Sequence, residues 1–101
     1  MDSFAYLIKQ SYEKDEIGQI KKKKEEKREI FITILSITRN EFYKAGSSGI
    51  TPDYVLKTAA VNYAGEQEIE LDDVRYAIYR VYNPPDSDDI ELYIHKKAGV
   101  V

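Results

Sequence analysis

Few residues of this chain have the types and spacing to do chemistry. The densest group is Lys21-Lys22-Lys23-Lys24-Glu25-Glu26-Lys27-Arg28-Glu29, six cations among three carboxylates. Such a run can neutralise nucleic-acid phosphates when aromatic side chains beside it stack on bases. Here the glutamates dilute the charge and the whole chain carries −3, so a solvated or protein-facing segment is the better reading. Asp72, Asp73, Asp86, Asp88 and Asp89 offer oxygen donors for a hard cation, but not at the spacing of an EF-hand loop, and turn chemistry accounts for them. The chain has no cysteine and one histidine, His95. It therefore lacks a thiolate nucleophile, a disulfide and the ligands of a histidine or cysteine metal centre. His95 reads as an exposed strand residue. No Gly-rich phosphate loop, nucleophile elbow or histidine–carboxylate pair occurs. The residues point away from an enzyme, with no cofactor and no metal, and towards a small β-rich interaction module.

The elements that must position these groups follow from composition and periodicity. At 101 residues, 43% hydrophobic and 33% charged, one folded domain spanning 1–101 is expected. No apolar run approaches the roughly 20 residues of a membrane-spanning helix, and the N-terminus lacks the basic start of a signal peptide. Nine Tyr and three Phe, with frequent Ile and Val, favour strands. The tyrosines fall on both faces of those strands, which suits core or subunit contacts better than a base-stacking platform. Charge is uneven: residues 66–93 carry nine acids against Arg75 and Arg80, and residues 1–65 carry eleven bases against nine acids. That polarity hints at head-to-tail contact between identical subunits.

Alternation at Phe4, Tyr6 and Ile8 predicts a first strand over about 3–13, and Gly18 offers a turn within 14–19. The charged run then reads as a solvated strand or ribbon leading into Ile30–Thr38. There Ile30, Ile32 and Ile34 share one face, with Phe31, Leu35 and Ile37 on the other. A strand apolar on both faces is central and covered twice, by a helix or a neighbouring subunit over one face. Further strands are predicted over Tyr54–Tyr63 (Val55, Ala59 and Val61 on one face), Glu66–Leu71 (Ile69 and Leu71 inward, glutamates outward), Val74–Tyr82 and Ile90–His95. Asp72-Asp73 is a hairpin turn and 83–89 a loop. The fold class is mainly β: a small antiparallel β-barrel or sandwich of five to six strands with one short helix.

That helix has a clear start. Thr38-Arg39-Asn40-Glu41 fits a capping box, with the Thr38 hydroxyl on the Glu41 N–H and the Glu41 carboxylate reaching back; Ile37 and Phe42 stand at the staple positions. Gly46, Gly49 and Pro52 stop it, giving a helix over about 39–47. Phe42 and Ala45 would face the core, and Arg39, Tyr43 and Lys44 solvent or a partner.

The order of these motifs resembles the head–tail joining (head closure, or stopper) proteins of long-tailed bacteriophages and prophages. The matching residues are Ser36-Ile37-Thr38-Arg39, the Glu41-Phe42-Tyr43-Lys44-Ala45 helix, and Gly49-Ile50-Thr51-Pro52. They continue through Tyr63-Ala64-Gly65-Glu66, Tyr76-Ala77-Ile78-Tyr79-Arg80, and Ile90-Glu91-Leu92-Tyr93 with Gly99. The departure lies at 12–29, where Asp15-Glu16-Ile17-Gly18 fits but the run after it is unusually dense. The resemblance implies a barrel with one helix that forms a dodecameric ring between a portal or adaptor ring and tail proteins. It also implies location at the head–tail interface of a virion assembled in the bacterial cytoplasm, with no membrane; a chain of this length offers only a modest interface, so alone it is expected to be a monomer or weak oligomer.

Under that reading, Lys44, Gly46, Ser47, Ser48 and Gly49 are the candidates for a channel-facing loop that meets packaged DNA or closes the pore. Lys21, Lys22, Lys23, Lys24, Lys27, Arg28, Arg39 and Tyr43 are the docking candidates, and Thr38 and Glu41 cap the helix. A tail-completion or tail-terminator protein shares these expectations. A small nucleic-acid-binding β-barrel using Lys21–Arg28 is the reading from a different class.

Overall fold

The computed structural model describes residues 1–14, 16–18 and 20–96, the side chains of 12–14 and 20–23 excepted. Six antiparallel strands close into a barrel. In chain order they are β1 (Asp2–Lys14), β2 (Ile20–Leu35), β3 (Tyr54–Ala59), β4 (Glu68–Leu71), β5 (Val74–Tyr82) and β6 (Asp89–Lys96), with the helix α1 (Arg39–Gly46) between β2 and β3. Around the barrel the order is β1-β2-β3-β6-β5-β4, and β4 returns to pair with β1. Closure leaves the body of the barrel without a free edge.

Alternation decides what fills it. Ala5, Leu7, Ile30, Ile32, Leu56, Ile69, Leu71, Tyr76, Ile90, Leu92 and Ile94 form one buried cluster. The inward faces of β4 and β6 are therefore those the pattern predicts. On β1 the inward residues are Ala5 and Leu7, while Phe4 and Tyr6 are exposed. On β3 the inward residue is Leu56; Val55 is buried on the outer side and Val61 is 92% exposed. β3 ends at Ala59 rather than at residue 63. There the Ala60 N–H donates to the Asp88 carbonyl at 2.8 Å and the chain enters a 3-10 turn at Ala60–Asn62. The segment from this turn to β4 crosses the end of the barrel, because β3 and β4 are not neighbours. Ala60 and Tyr63 pack against the core from it.

The β4–β5 hairpin turns on Asp72 and Asp73, at φ 50° and 65°. Two consecutive left-handed residues are the requirement of a type I′ turn, which aspartate tolerates better than most side chains. β1 and β2 outrun their neighbours. β4 reaches only Tyr6–Ile8 of β1, and β3 reaches only Thr33–Leu35 of β2. From Lys9↔Glu26 to Lys14↔Ile20 the two strands pair only with each other, as a ribbon that leaves the barrel. The charged run is thus one continuous strand with the apolar segment after it.

Candidate functional site

The short helix is held by charge more than by apolar packing. Thr38 caps it as its sequence requires, its hydroxyl accepting from the Glu41 N–H at 3.1 Å. The return half of the capping box is absent. The Glu41 carboxylate is buried and accepts instead from the Tyr79 hydroxyl at 2.9 Å and from the Arg80 guanidinium at 2.5 Å. A guanidinium brings a full opposite charge as well as a donor, so, with the phenol beside it, it outcompetes one backbone N–H for the same carboxylate. Glu41, with Ala45, therefore occupies the barrel-facing side predicted for Phe42, which is 49% exposed.

A local irregularity in β5 makes this contact. Ile78 pairs with Ile94 and Arg80 with Tyr93, so Tyr79 is an extra residue in a bulge. A bulge re-aims side chains, and here Tyr79 and Arg80 both reach the helix. The Arg80 guanidinium also lies over the Tyr93 ring, 4.0 Å from its centroid, and the Tyr93 hydroxyl donates to Glu91 at 2.7 Å. The Tyr79 ring meets those of Tyr93 and His95 edge-on, at 6.2 and 5.6 Å. Burial, then the bond to Glu91, pushes the Tyr93 phenol up to about 12. Burial and the bond to Glu41 raise Tyr79 as well. Both phenols keep their protons at neutral pH and act as donors.

This cluster places α1 on the outer face of β3, β6 and β5. Val55, Tyr93 and Arg80 are cross-strand neighbours there, and Val55 and Tyr93 are buried although they point away from the barrel interior. The helix does not cover the outer face of β2, where sequence places an apolar residue at Phe31. Phe31 stays 52% exposed, opposite Phe4 at 57%, with ring centroids 5.5 Å apart.

The candidate channel-facing residues form one compact turn. Gly46 closes the helix, and Ser48, Gly49 and Ile50 donate to the carbonyls of Ala45, Gly46 and Ala45. The last two bonds, with Gly49 at φ 79°, make a Schellman motif. The Ser47 hydroxyl donates to the Lys44 carbonyl at 2.7 Å. Lys44, Gly46, Ser47, Ser48 and Gly49 are all exposed, and Pro52 is buried behind them. The glycines close a helix here rather than loosen a linker.

The docking candidates are not brought together. Arg39 and Tyr43 are exposed on α1. The basic run lies on β2, and the side chains of Lys21, Lys22 and Lys23 lie outside the described residues. At the root of the ribbon Lys27 pairs with Glu70 at 3.2 Å. Arg28 pairs with buried Glu66 at 2.9 Å and also donates to the Asn62 carbonyl. Glu66 in turn accepts from the Ala64 N–H at 2.7 Å, and its carbonyl from the Tyr63 hydroxyl at 2.8 Å. Arg75 joins Glu25 at 2.9 Å and Glu68 at 3.5 Å. Glu66 and Glu68 are therefore buried rather than pointing out to solvent, because Arg28 and Arg75 supply their counter-charges. Lys27 and Arg28 fasten the ribbon to the barrel and to the crossing segment.

Among the described residues no group of His, Asp and Glu converges in a way that could hold a metal ion. Comparison of the chain with family models, with curated proteins and with solved structures finds no match. The Glu41–Tyr79–Arg80 cluster escapes sequence reasoning because Glu41 already has a local role in the capping pattern. The one available signal is a carboxylate in a helix too poor in apolar residues to dock by itself.

Proposed function

We propose that this protein is a structural connector subunit of the head–tail joining class of long-tailed phages, acting in a ring between a portal or adaptor ring and the tail. The observation that carries the reading is the meeting of Glu41 with Tyr79 and Arg80. Those residues come from two of the segments on which the resemblance rests, separated by almost forty positions, and together they fix the helix to the barrel. A third such segment, Tyr63-Ala64-Gly65-Glu66, is likewise a bonded unit, with Gly65 at φ 89° and Glu66 holding Arg28. A resemblance made of chance short matches would give no reason for its pieces to bond across the fold. A closed barrel also suits a subunit that must not polymerise through strand edges.

In this role the exposed turn at Gly46–Gly49, with Lys44 beside it, is the part that meets DNA. Backbone groups, hydroxyls and one lysine give contact without base readout. The nucleic-acid-binding barrel is the weaker alternative, since Lys27 and Arg28 are already paired with Glu70 and Glu66. The test removes the reading frame from the phage or prophage genome that carries it and examines the particles after induction. DNA-filled heads and separate tails are expected, with joining restored by the purified protein. Intact infectious virions without the protein would overturn the proposal.

A further inference from the structure

Ile8 is buried, at 2% exposure, although it lies on the outside of the barrel. Leu7 belongs to the interior cluster, so alternation points Ile8 the other way, and Ile8 is not part of that cluster. On the outer face Lys27 of β2 is opposite it on one side and Glu68 of β4 on the other. The helix α1 is bound to β5 by Glu41 and lies over β3, β6 and β5, away from it. What crosses Ile8 follows from the register. Towards the start of β1, Tyr6 is opposite Glu70, and Glu70 is opposite Arg75 of β5. Towards its end, Gln10 is opposite Glu25 of the ribbon. The ion pair from Arg75 to Glu25, 2.9 Å long, therefore runs diagonally over the two strands between β5 and β2 and passes above Ile8 and Glu68. The same guanidinium nitrogen meets Glu68 at 3.5 Å. Lys27 reaches Glu70 at 3.2 Å along a parallel diagonal.

β5 and β2 are not neighbours around the barrel, so no backbone pairing joins them. Arg75 is bound instead to a residue of the ribbon, beyond the part of β1 that β4 reaches. It also has a second place to go. Glu70 is directly opposite it on β4, and a carboxylate can accept from an arginine as well as from Lys27. The buried Nε of Arg75 has no partner among the described residues, so the present arrangement uses its fork only in part. We infer that the Arg75–Glu25 pair is a releasable strap that holds the ribbon towards the outer face of β1 and β4. With Arg75 on Glu25 the ribbon has one direction and Ile8 is covered. With Arg75 on Glu70 the ribbon from Lys9 outward is free to change direction, and Ile8 meets water. The two states differ by one exchange of partner in a single ion-pair network, and that local exchange redirects a whole element. The strap belongs to the ribbon and does not rest on the connector role.

The absence of cysteine from the chain permits a direct test, because one introduced thiol reports its own exposure. Ile8→Cys places that thiol under the strap. Ala5→Cys and Leu7→Cys place it inside the barrel and report opening of the barrel itself. The rate of reaction with a thiol reagent is measured on the folded chain. Arg75→Gln should raise the rate at Ile8→Cys about tenfold and leave the two interior thiols as slow as before. Glu25→Gln should give a similar rise, and Arg75→Gln combined with Glu25→Gln no more than the larger of the two, since both remove one pair. Arg39→Gln, at an exposed arginine of α1, should change nothing at Ile8→Cys. Equal rises at Ile8→Cys and at the interior thiols would mean that the barrel opens as a whole, which overturns the strap. An unchanged rate at Ile8→Cys in Arg75→Gln overturns it too, as do effects of Arg75→Gln and Glu25→Gln that simply add.

Discussion

The barrel has two outer faces of opposite construction. Over β3, β6 and β5 the outward residues Val55 and Tyr93 are buried, and α1 is fixed above them by a buried carboxylate, a guanidinium and a phenol. Over β1 and β2 the outward residues Phe4 and Phe31 are purely hydrocarbon, yet they stay 57% and 52% exposed. Apolar surface alone thus does not decide where the helix lies. The helix offers little apolar surface of its own, with Ala45 its one buried apolar residue, so it goes where its carboxylate finds a cation. Burying Glu41 without Arg80 would leave an uncompensated charge. Polar specificity selects the docking face, and the richer apolar face is left partly exposed.

The largest effect should come from breaking the covered face. Glu41→Ala removes the acceptor of Tyr79 and Arg80 together and detaches the helix from β5. A loss of about 2 kcal/mol is expected in urea unfolding, the range of a hydrogen bond to a charged group. Glu41→Gln, which still accepts from Tyr79, should lose about half as much. A change below the error of the measurement for Glu41→Ala would mean that apolar packing holds the helix after all.

Alkaline pH should attack the same face without mutation. Burial and the bond to Glu91 push the Tyr93 phenol up to about 12 from an ordinary 10.0, and Tyr79 is raised as well. A raised phenol binds its proton more tightly folded than unfolded. Its contribution is complete below pH 10 and is lost as pH climbs through the folded value, so stability should fall from about pH 10 to about 12. Tyr79→Phe and Tyr93→Phe should each flatten that fall, measured by thermal unfolding across the range. An unchanged slope in both variants would place the titrating groups elsewhere.

Breaking the ribbon root should cost less. Arg28→Ala leaves Glu66 buried without its cation, but Arg28 is half in water, and water can enter where it stood. A loss of about 1 kcal/mol is expected. Glu66→Gln combined with Arg28→Ala should recover part of it, since an amide tolerates burial better than a lone carboxylate. Full additivity of the two substitutions would deny the pair.

The architecture was legible in the sequence wherever one face of a strand is buried and the other wet. Ile90, Leu92 and Ile94 alternate cleanly and form the inward face of β6, as Ile69 and Leu71 do on β4. Thr38 and Gly49 mark the two ends of α1 because caps are local chemistry. Legibility failed where partners are distant in sequence. Val55 and Leu56 are both buried, one outside and one inside the barrel, so period two cannot say which faces the core. Phe4 and Tyr6 alternate as well as Ala5 and Leu7, but the narrow interior of a six-stranded barrel takes the alanine and the leucine. Glu66 and Glu68 read as solvent-facing because the cations that bury them, Arg28 and Arg75, come from other strands. The site residues followed the same rule: the helix turn at Lys44–Gly49 was placed by local signals, and the Tyr79–Arg80 bulge was not.

The smallest effect on stability should come from the bare face. Phe31 rests on Phe4 across the strand pair, and an exposed cross-strand aromatic pair contributes at most about 1 kcal/mol. Phe31→Ser removes that contact but opens no cavity, because the interior under β2 is filled by Ile30 and Ile32. It also lowers the apolar area shown to water, which offsets part of the loss. The net change in unfolding free energy should be about 0.5 kcal/mol or less, several-fold below that of Glu41→Ala despite the larger side chain removed. If Phe31→Ser instead unfolds the chain as readily as Glu41→Ala, β1–β2 is a face the fold depends on, and the division between a covered face that holds the fold and a bare face that does not fails.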